Sequence, residues 1–148
     1  MKDSIKFTGT LEVTHTLENG SVTQYSLKNL VVDSGLRYIA SRMKDATATA
    51  MTHMAIGSGS TTPVGANTTL GTELGRVALT STLVSTNTVV YNATFPAGTG
   101  TGTVTEAGLF NNPTTGMGTM LSRSLFALAI PKGGGDSLTV AWTITISA

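Results

Sequence analysis

Cysteine is absent from this chain, which excludes disulfide scaffolds, thiolate zinc sites, iron–sulfur clusters and cysteine nucleophiles. Charge is scarce as well. Asp, Glu, Lys and Arg make up 11% of the residues, against roughly 25% in an ordinary soluble domain. Nine basic residues against eight acidic leave a net charge of +1, too little clustered cation to neutralise phosphates, so nucleic acid is not an expected partner. No apolar run reaches the roughly 18 residues of a membrane span, so a membrane is not expected as a partner either. Met1-Lys2-Asp3 leads into alternation rather than into the apolar stretch of a secretory leader. Aromatics contribute 5%, including a single Trp, which is thin material for a sugar-stacking platform.

What the chain does have is threonine, its commonest residue, and 17 glycines in 148 residues. That length fits one domain spanning 1–148. The branched Cβ of Thr suits a pleated surface. A face of Thr, Ser and Gly repels neighbours weakly, so the composition suits a protein covered by partners in an assembly.

From Ile5 to Leu17 apolar and polar residues alternate with period two, the pattern of a half-buried strand, with Gly9 as an expected bend or bulge. Asn19-Gly20 then signals a hairpin, with Val22 to Leu27 as the return strand. After Asp33-Ser34-Gly35 the period changes. Leu36, Ile39, Ala40 and Met43 mark one face of a short helix near 34–44, with Asp33 or Ser34 as its cap. Strand character returns at Met54–Gly57, Val77–Val84, Val89–Phe95, Thr103–Phe110, Met120–Ile130 and Ser137–Ile146, with Leu70–Arg76 as a helical turn or irregular crossing. Many strands between Gly, Pro and Asn turns give an all-β fold, an antiparallel β-sandwich that is jelly-roll-like, with one α-helix.

Catalysis has little to stand on. His15 falls in the inward register as a packed, hydrogen-bonded imidazole, and His53 has no partner at metal-ligand spacing. No nucleophile elbow, zinc helix or calcium loop is present. The expectation is no enzyme, no catalytic residues, no metal and no cofactor. Gly57-Ser58-Gly59 follows a strand as a phosphate-binding loop would, but no βαβ unit surrounds it, so tight chain reversal is the simpler reading.

Glu73, Arg76, Glu106 and Arg123 stand out because each lies in or beside an apolar stretch. An isolated buried ion is costly, so these charges are expected to pair: Glu73 or Glu106 with Arg76 or Arg123. Ordinary solvated side chains are the alternative.

The ordered segments Asn29-Leu30-Val31-Val32-Asp33-Ser34-Gly35-Leu36, Met54-Ala55-Ile56-Gly57-Ser58-Gly59, Leu70-Gly71-Thr72-Glu73-Leu74-Gly75-Arg76, Glu106-Ala107-Gly108-Leu109-Phe110, Met120-Leu121-Ser122-Arg123 and Leu138-Thr139-Val140-Ala141-Trp142-Thr143-Ile144 resemble a diffuse family of small tailed-bacteriophage virion structural proteins. The resemblance implies a structural part of the virion, a capsid decoration (cement) protein or a tail component.

The compact chain, without a coiled-coil or collagen-like shaft, favours a cement protein that forms a homotrimer or homodimer and staples neighbouring major capsid protein subunits. The alternative is a tail component: an adaptor, baseplate or fibre-attachment protein bound to other tail proteins. A carbohydrate-binding module is a weaker alternative. The hairpin over 1–28 is the candidate contact arm, presenting Lys6, Thr8, Thr10, Glu12 and Thr14, and its removal is expected to leave a folded core.

Overall fold

The computed structural model describes residues 3–148. Ten strands and one helix follow in the order β1 (Lys6–Thr16), β2 (Val22–Lys28), β3 (Leu30–Val31), α1 (Asp33–Lys44), β4 (His53–Gly57), β5 (Glu73–Ala78), β6 (Ser81–Ser85), β7 (Thr88–Phe95), β8 (Gly102–Phe110), β9 (Met120–Lys132) and β10 (Ser137–Ser147). They form two five-stranded sheets, ordered β2-β1-β10-β7-β6 and β3-β9-β8-β4-β5, and every strand pair is antiparallel. The expected sandwich with one short helix is what the chain forms.

Alternation explains the core. The inward residues Leu11, Val13, Tyr91, Ala93, Phe95, Leu138, Val140, Trp142 and Ile144 of the first sheet meet Met54, Ile56, Val104, Ala107, Leu109, Leu121 and Ile130 of the second. Trp142 is fully buried in this layer. A second, smaller cluster of Val32, Ala55, Leu70, Phe110 and Met120 packs separately. It lies on the far side of the second sheet, beneath connecting segments.

Several expectations need correction. Gly9 makes no bulge; it stays in register opposite Ile144, and its missing side chain leaves room for that of Asn29. The opening hairpin is no free arm. β1 is paired along its whole length to β10 on one side and from Thr10 to Thr16 to β2 on the other, and Leu11, Val13 and His15 sit in the core. Removing residues 1–27 therefore takes an interior strand out of the first sheet, so a folded remainder is not expected. Leu70–Arg76 is not helical: Glu73 to Ala78 is a strand. The expected strand Val77–Val84 is two pieces, because the chain leaves the second sheet after Ala78 and enters the first at Ser81.

The helix rotates differently from its apolar pattern. Leu36 and Met43 are exposed, while Gly35 is buried against the backbone of Leu121, where a Cβ would collide with its carbonyl oxygen. Tyr38 and Ile39 complete the packed face. Val32 is the N-cap and supplies no side-chain bond; the Ser34 hydroxyl instead donates to the carbonyl of Met120 at 2.7 Å. The closest approach of α1 to β9 is thus set by a glycine.

Candidate functional site

All four charges singled out in the sequence lie on the outer face of the second sheet, in two neighbouring cross-strand rows. Glu73 pairs in register with Gly57, and Gly57 with Glu106. One step along, Arg76 aligns with Ala55, Ala55 with Gly108, and Gly108 with Arg123. Ala55, Gly57 and Gly108 are small, so this face is hollow down its middle and the segments that follow β4 and β8 can lie upon it. A Cβ on Gly108 would press on Phe110 and Leu70.

Glu106 is 0% exposed and Arg123 1%. Arg123 donates to Glu106 Oε2 through Nε at 3.1 Å and Nη2 at 2.9 Å. The same carboxylate accepts the backbone N–H groups of Gly59 (2.8 Å), Gly71 (2.9 Å) and Thr72 (2.8 Å). Arg123 reaches on to Asn67 Oδ1 at 3.1 Å and Thr61 Oγ1 at 3.3 Å. One buried ion pair thereby fastens both ends and the middle of the long segment 58–72. Burial alone pushes the Glu106 carboxyl up, but the hydrogen bonds from Thr72, Gly71, Arg123 and Gly59 outweigh it and hold its pKa below the ordinary glutamate value.

The second pair works alike on a second loop. Arg76 forks onto Glu73, with Nε at 2.7 Å from Oε1 and Nη2 at 3.0 Å from Oε2. Its Nη1 donates to the carbonyls of Asn112 (2.8 Å) and Met117 (3.1 Å), closing the loop 111–118. The guanidinium also lies 3.9 Å from the ring centroid of Phe110. The structure thus joins Glu73 to Arg76 and Glu106 to Arg123.

The glycines of Gly57-Ser58-Gly59 do more than reverse the chain. A Cβ at Gly57 or Gly59 would collide with the Glu106 carboxylate. Gly59 at one end of the segment 58–72 and Gly71 and Thr72 at the other form a cradle of N–H groups for an anion, and the anion is the protein's own.

A third cluster lies at one end of the sandwich, where His15 is the packed, hydrogen-bonded imidazole expected but its partners Asp136 and Lys132 were not foreseen. His15 Nε2 lies 2.9 Å from Asp136 Oδ2, and Asp136 also accepts from the N–H groups of Gly133 (2.7 Å) and Glu18 (3.1 Å). Lys132, 2% exposed, donates to the carbonyls of Pro96 (3.0 Å) and Asp136 (2.8 Å). The bond from His15 and then that from Gly133 hold the Asp136 carboxyl below its usual range. Burial pushes the Lys132 ammonium down, with Asp136 opposing. The available signal was His15 in an inward register and an acidic residue closing the turn Gly133-Gly134-Gly135-Asp136.

Among the described residues no three His, Cys, Asp or Glu side chains gather as a metal site would require. Trp142 and Tyr91 are core residues, and Tyr25 and Tyr38 are half-buried. Lys6, Thr8, Thr10 and Glu12 are exposed on the outer face of β1, and Thr14 is half-exposed beside them.

A family model, phage tail-collar fibre protein, N-terminal, matches residues 23–121, about two-thirds of the chain. The chain belongs to this family. It is a bacteriophage tail fibre component and a structural part of the virion, with the tail as its place of work. The capsid-cement reading favoured by the compact composition finds no support here, and the tail alternative does. The matched span runs from β2 to the first residues of β9 and takes in three of the four clasp charges, Glu73, Arg76 and Glu106. No curated protein and no solved structure matches the chain.

Proposed function

We propose that this domain is a fibre-attachment module, a rigid block through which a tail fibre is held on the tail. The observation that carries the reading is the pair of clasps seen in a chain of a fibre family. The scarce charges of this sequence are spent on pinning two surface loops, Glu106–Arg123 on 58–72 and Glu73–Arg76 on 111–118. Loops pinned in this way leave the block little local freedom to open, which suits a joint that carries load.

The docking surface in this reading is the outer face of the first sheet. Thr8, Thr145 and Thr88 form one cross-strand row there; Thr10 and Thr143 belong to a second, and Thr14, Thr139 and Thr94 form a third. Lys6 and Glu12 flank them on β1. This face offers hydroxyls and methyls without charge repulsion, and repetition of the module around the tail multiplies a modest affinity into avidity. The partners are other tail proteins and further copies of the chain, as a homotrimer or homodimer.

Co-sedimentation with tails stripped of fibres tests this. Thr10→Arg with Thr139→Arg places two bulky charges on exposed positions of this face that are not cross-strand partners, where the fold tolerates change. Binding should fall sharply while the melting temperature holds. Undiminished binding by the double variant would overturn the proposed face, and no binding by the natural chain would overturn the attachment role.

A further inference from the structure

The edge strand β6 stands apart from the other edges of the sandwich. All five of its residues are exposed, and among the described residues it pairs only with β7. Leu83 aligns with Val90 and so projects from the outer face, 62% exposed. Val84 aligns with Val89 and projects toward the core side, yet is 69% exposed, because the second sheet does not extend over β6. Apolar side chains thus stand open on both faces of an unpaired edge.

Natural edges are guarded by charge, proline, bulges or covering loops. β2 ends in Lys28, whose carbonyl is taken by Ser124 Oγ at 2.6 Å. β3 has two residues, and Gly75 of β5 lies against the backbone of Gly100. β6 has none of these guards. No Asp, Glu, Lys, Arg or His occurs from Val77 to Thr105, a span holding β6, β7 and their connections.

We infer that β6 pairs with β6 of a second copy of this chain, antiparallel about Leu83, joining the first sheets of two molecules into one. The choice of occupant rests on charge and on residue order. A charged partner finds nothing to complement, whereas two neutral edges meet without repulsion. Ser81-Thr82-Leu83-Val84-Ser85 is close to palindromic in polarity, so reversal sets Ser81 against Ser85 and Thr82 against Val84, with the two Leu83 side chains meeting at the axis.

The backbone agrees. Ser85 and Thr88 flank the two-residue turn Thr86–Asn87, which makes them a hydrogen-bonded pair. Alternation from there turns Leu83 toward β7 and leaves the N–H and C=O of Thr82 and Val84 facing outward. In the dimer each Thr82 exchanges both bonds with Val84 of the other copy. The Leu83 pair is then the closely spaced, non-hydrogen-bonded kind, at a Cα separation of roughly 4.5 Å. Leu83 and Val90 of both copies close an apolar patch across the join.

The absence of cysteine makes the test clean. Leu83→Cys should form a disulfide-linked dimer under mild oxidation, since that spacing suits the bond. Val22→Cys, exposed on the opposite edge, should cross-link far more slowly. Thr82→Pro removes an outward N–H and leaves the ladder to β7 intact, so dimer affinity by light scattering or sedimentation should drop about tenfold or more. Leu83→Lys gives the edge its missing guard and should do the same by an independent route. The inference is overturned if the natural chain stays monomeric up to its solubility limit. It is equally overturned if positions 83 and 22 cross-link at equal rates, or if Leu83→Lys associates like the natural chain. None of these measurements involves tails, so failure here is separable from failure of the attachment role.

Discussion

Replacing Glu106 by Gln is the sharpest perturbation of the clasp, because it preserves shape and removes only charge and acceptor capacity. Both carboxylate oxygens face donors: Oε1 meets the N–H groups of Gly59 and Thr72, and Oε2 meets Gly71 and the Arg123 guanidinium. Whichever way the amide of Gln is turned, its NH2 confronts donors and finds no acceptor. Arg123 is simultaneously left as a buried cation with only Asn67 and Thr61 for company. Breaking one partner out of a buried pair costs about 3–5 kcal/mol. Since the fork geometry stays partly filled, about 3 kcal/mol is expected for Gln and the upper end for Ala. For a domain of this size that is a fall of roughly 6–12 °C in melting temperature. Urea unfolding monitored by Trp142 fluorescence would supply the free energy, the indole being fully buried in the native state. A Gln variant within about 1 kcal/mol of the natural protein would refute the reasoning, because it would mean water already satisfies those donors.

Four further outcomes follow from particular contacts. Gly35→Ala should cost about 1–3 kcal/mol by denaturant unfolding, since its Cβ meets the Leu121 backbone rather than a side chain that can swing away. Arg76→Met keeps an apolar side chain beside Phe110 but removes the guanidinium and frees the carbonyls of Asn112 and Met117, so thermolysin should cut within 111–118 many times faster than in the natural protein. Thr86→Gly should stabilise by about 0.5 kcal/mol, because Thr86 holds φ at +50° and relief of that strain (about 1–2 kcal/mol) exceeds the entropy lost on introducing glycine (about 0.5–1 kcal/mol). Acid should unfold the protein through Glu106 and Asp136. Both carboxyls are held below their ordinary values of 4.5 and 3.8, so their contribution is complete above those values and lost as pH falls through the lower folded ones. Thermal melts should therefore be level down to about pH 5, fall below it, and fall less steeply in Glu106→Gln.

Strand and turn chemistry was legible because it is local. β1, β7 and β10 alternate without interruption, and alternation is all that a half-buried strand requires. Charge scarcity made Glu73, Arg76, Glu106 and Arg123 conspicuous. Spacing could not reveal which pairs form: Glu73 and Arg76 share a face of β5 only because of the irregular register beside Gly57, and Glu106 meets Arg123 only through the register of β8 against β9. Elsewhere local pattern competed with tertiary contact. The helix turned its glycine inward and left Leu36 and Met43 in solvent, because close approach to β9 needs a residue without a side chain. Nothing local distinguishes a contact glycine from a turn glycine, and the same ambiguity hid the cradle around Glu106. The cluster of His15, Lys132 and Asp136 assembles from two segments, the end of β1 and the β9–β10 connection, with His15 and Asp136 separated by 121 positions. The cement reading failed for a different reason: a compact, neutral, threonine-covered sandwich suits either end of a virion, and composition carries no address.

The place of this chain on the tail is tested by separating heads from tails of the phage that encodes it and quantifying the protein in each by mass spectrometry against the major capsid protein. The chain should stay with the tails, in a small copy number set by tail symmetry. Recovery on tail-free heads, in numbers comparable to the capsid subunits, would contradict it.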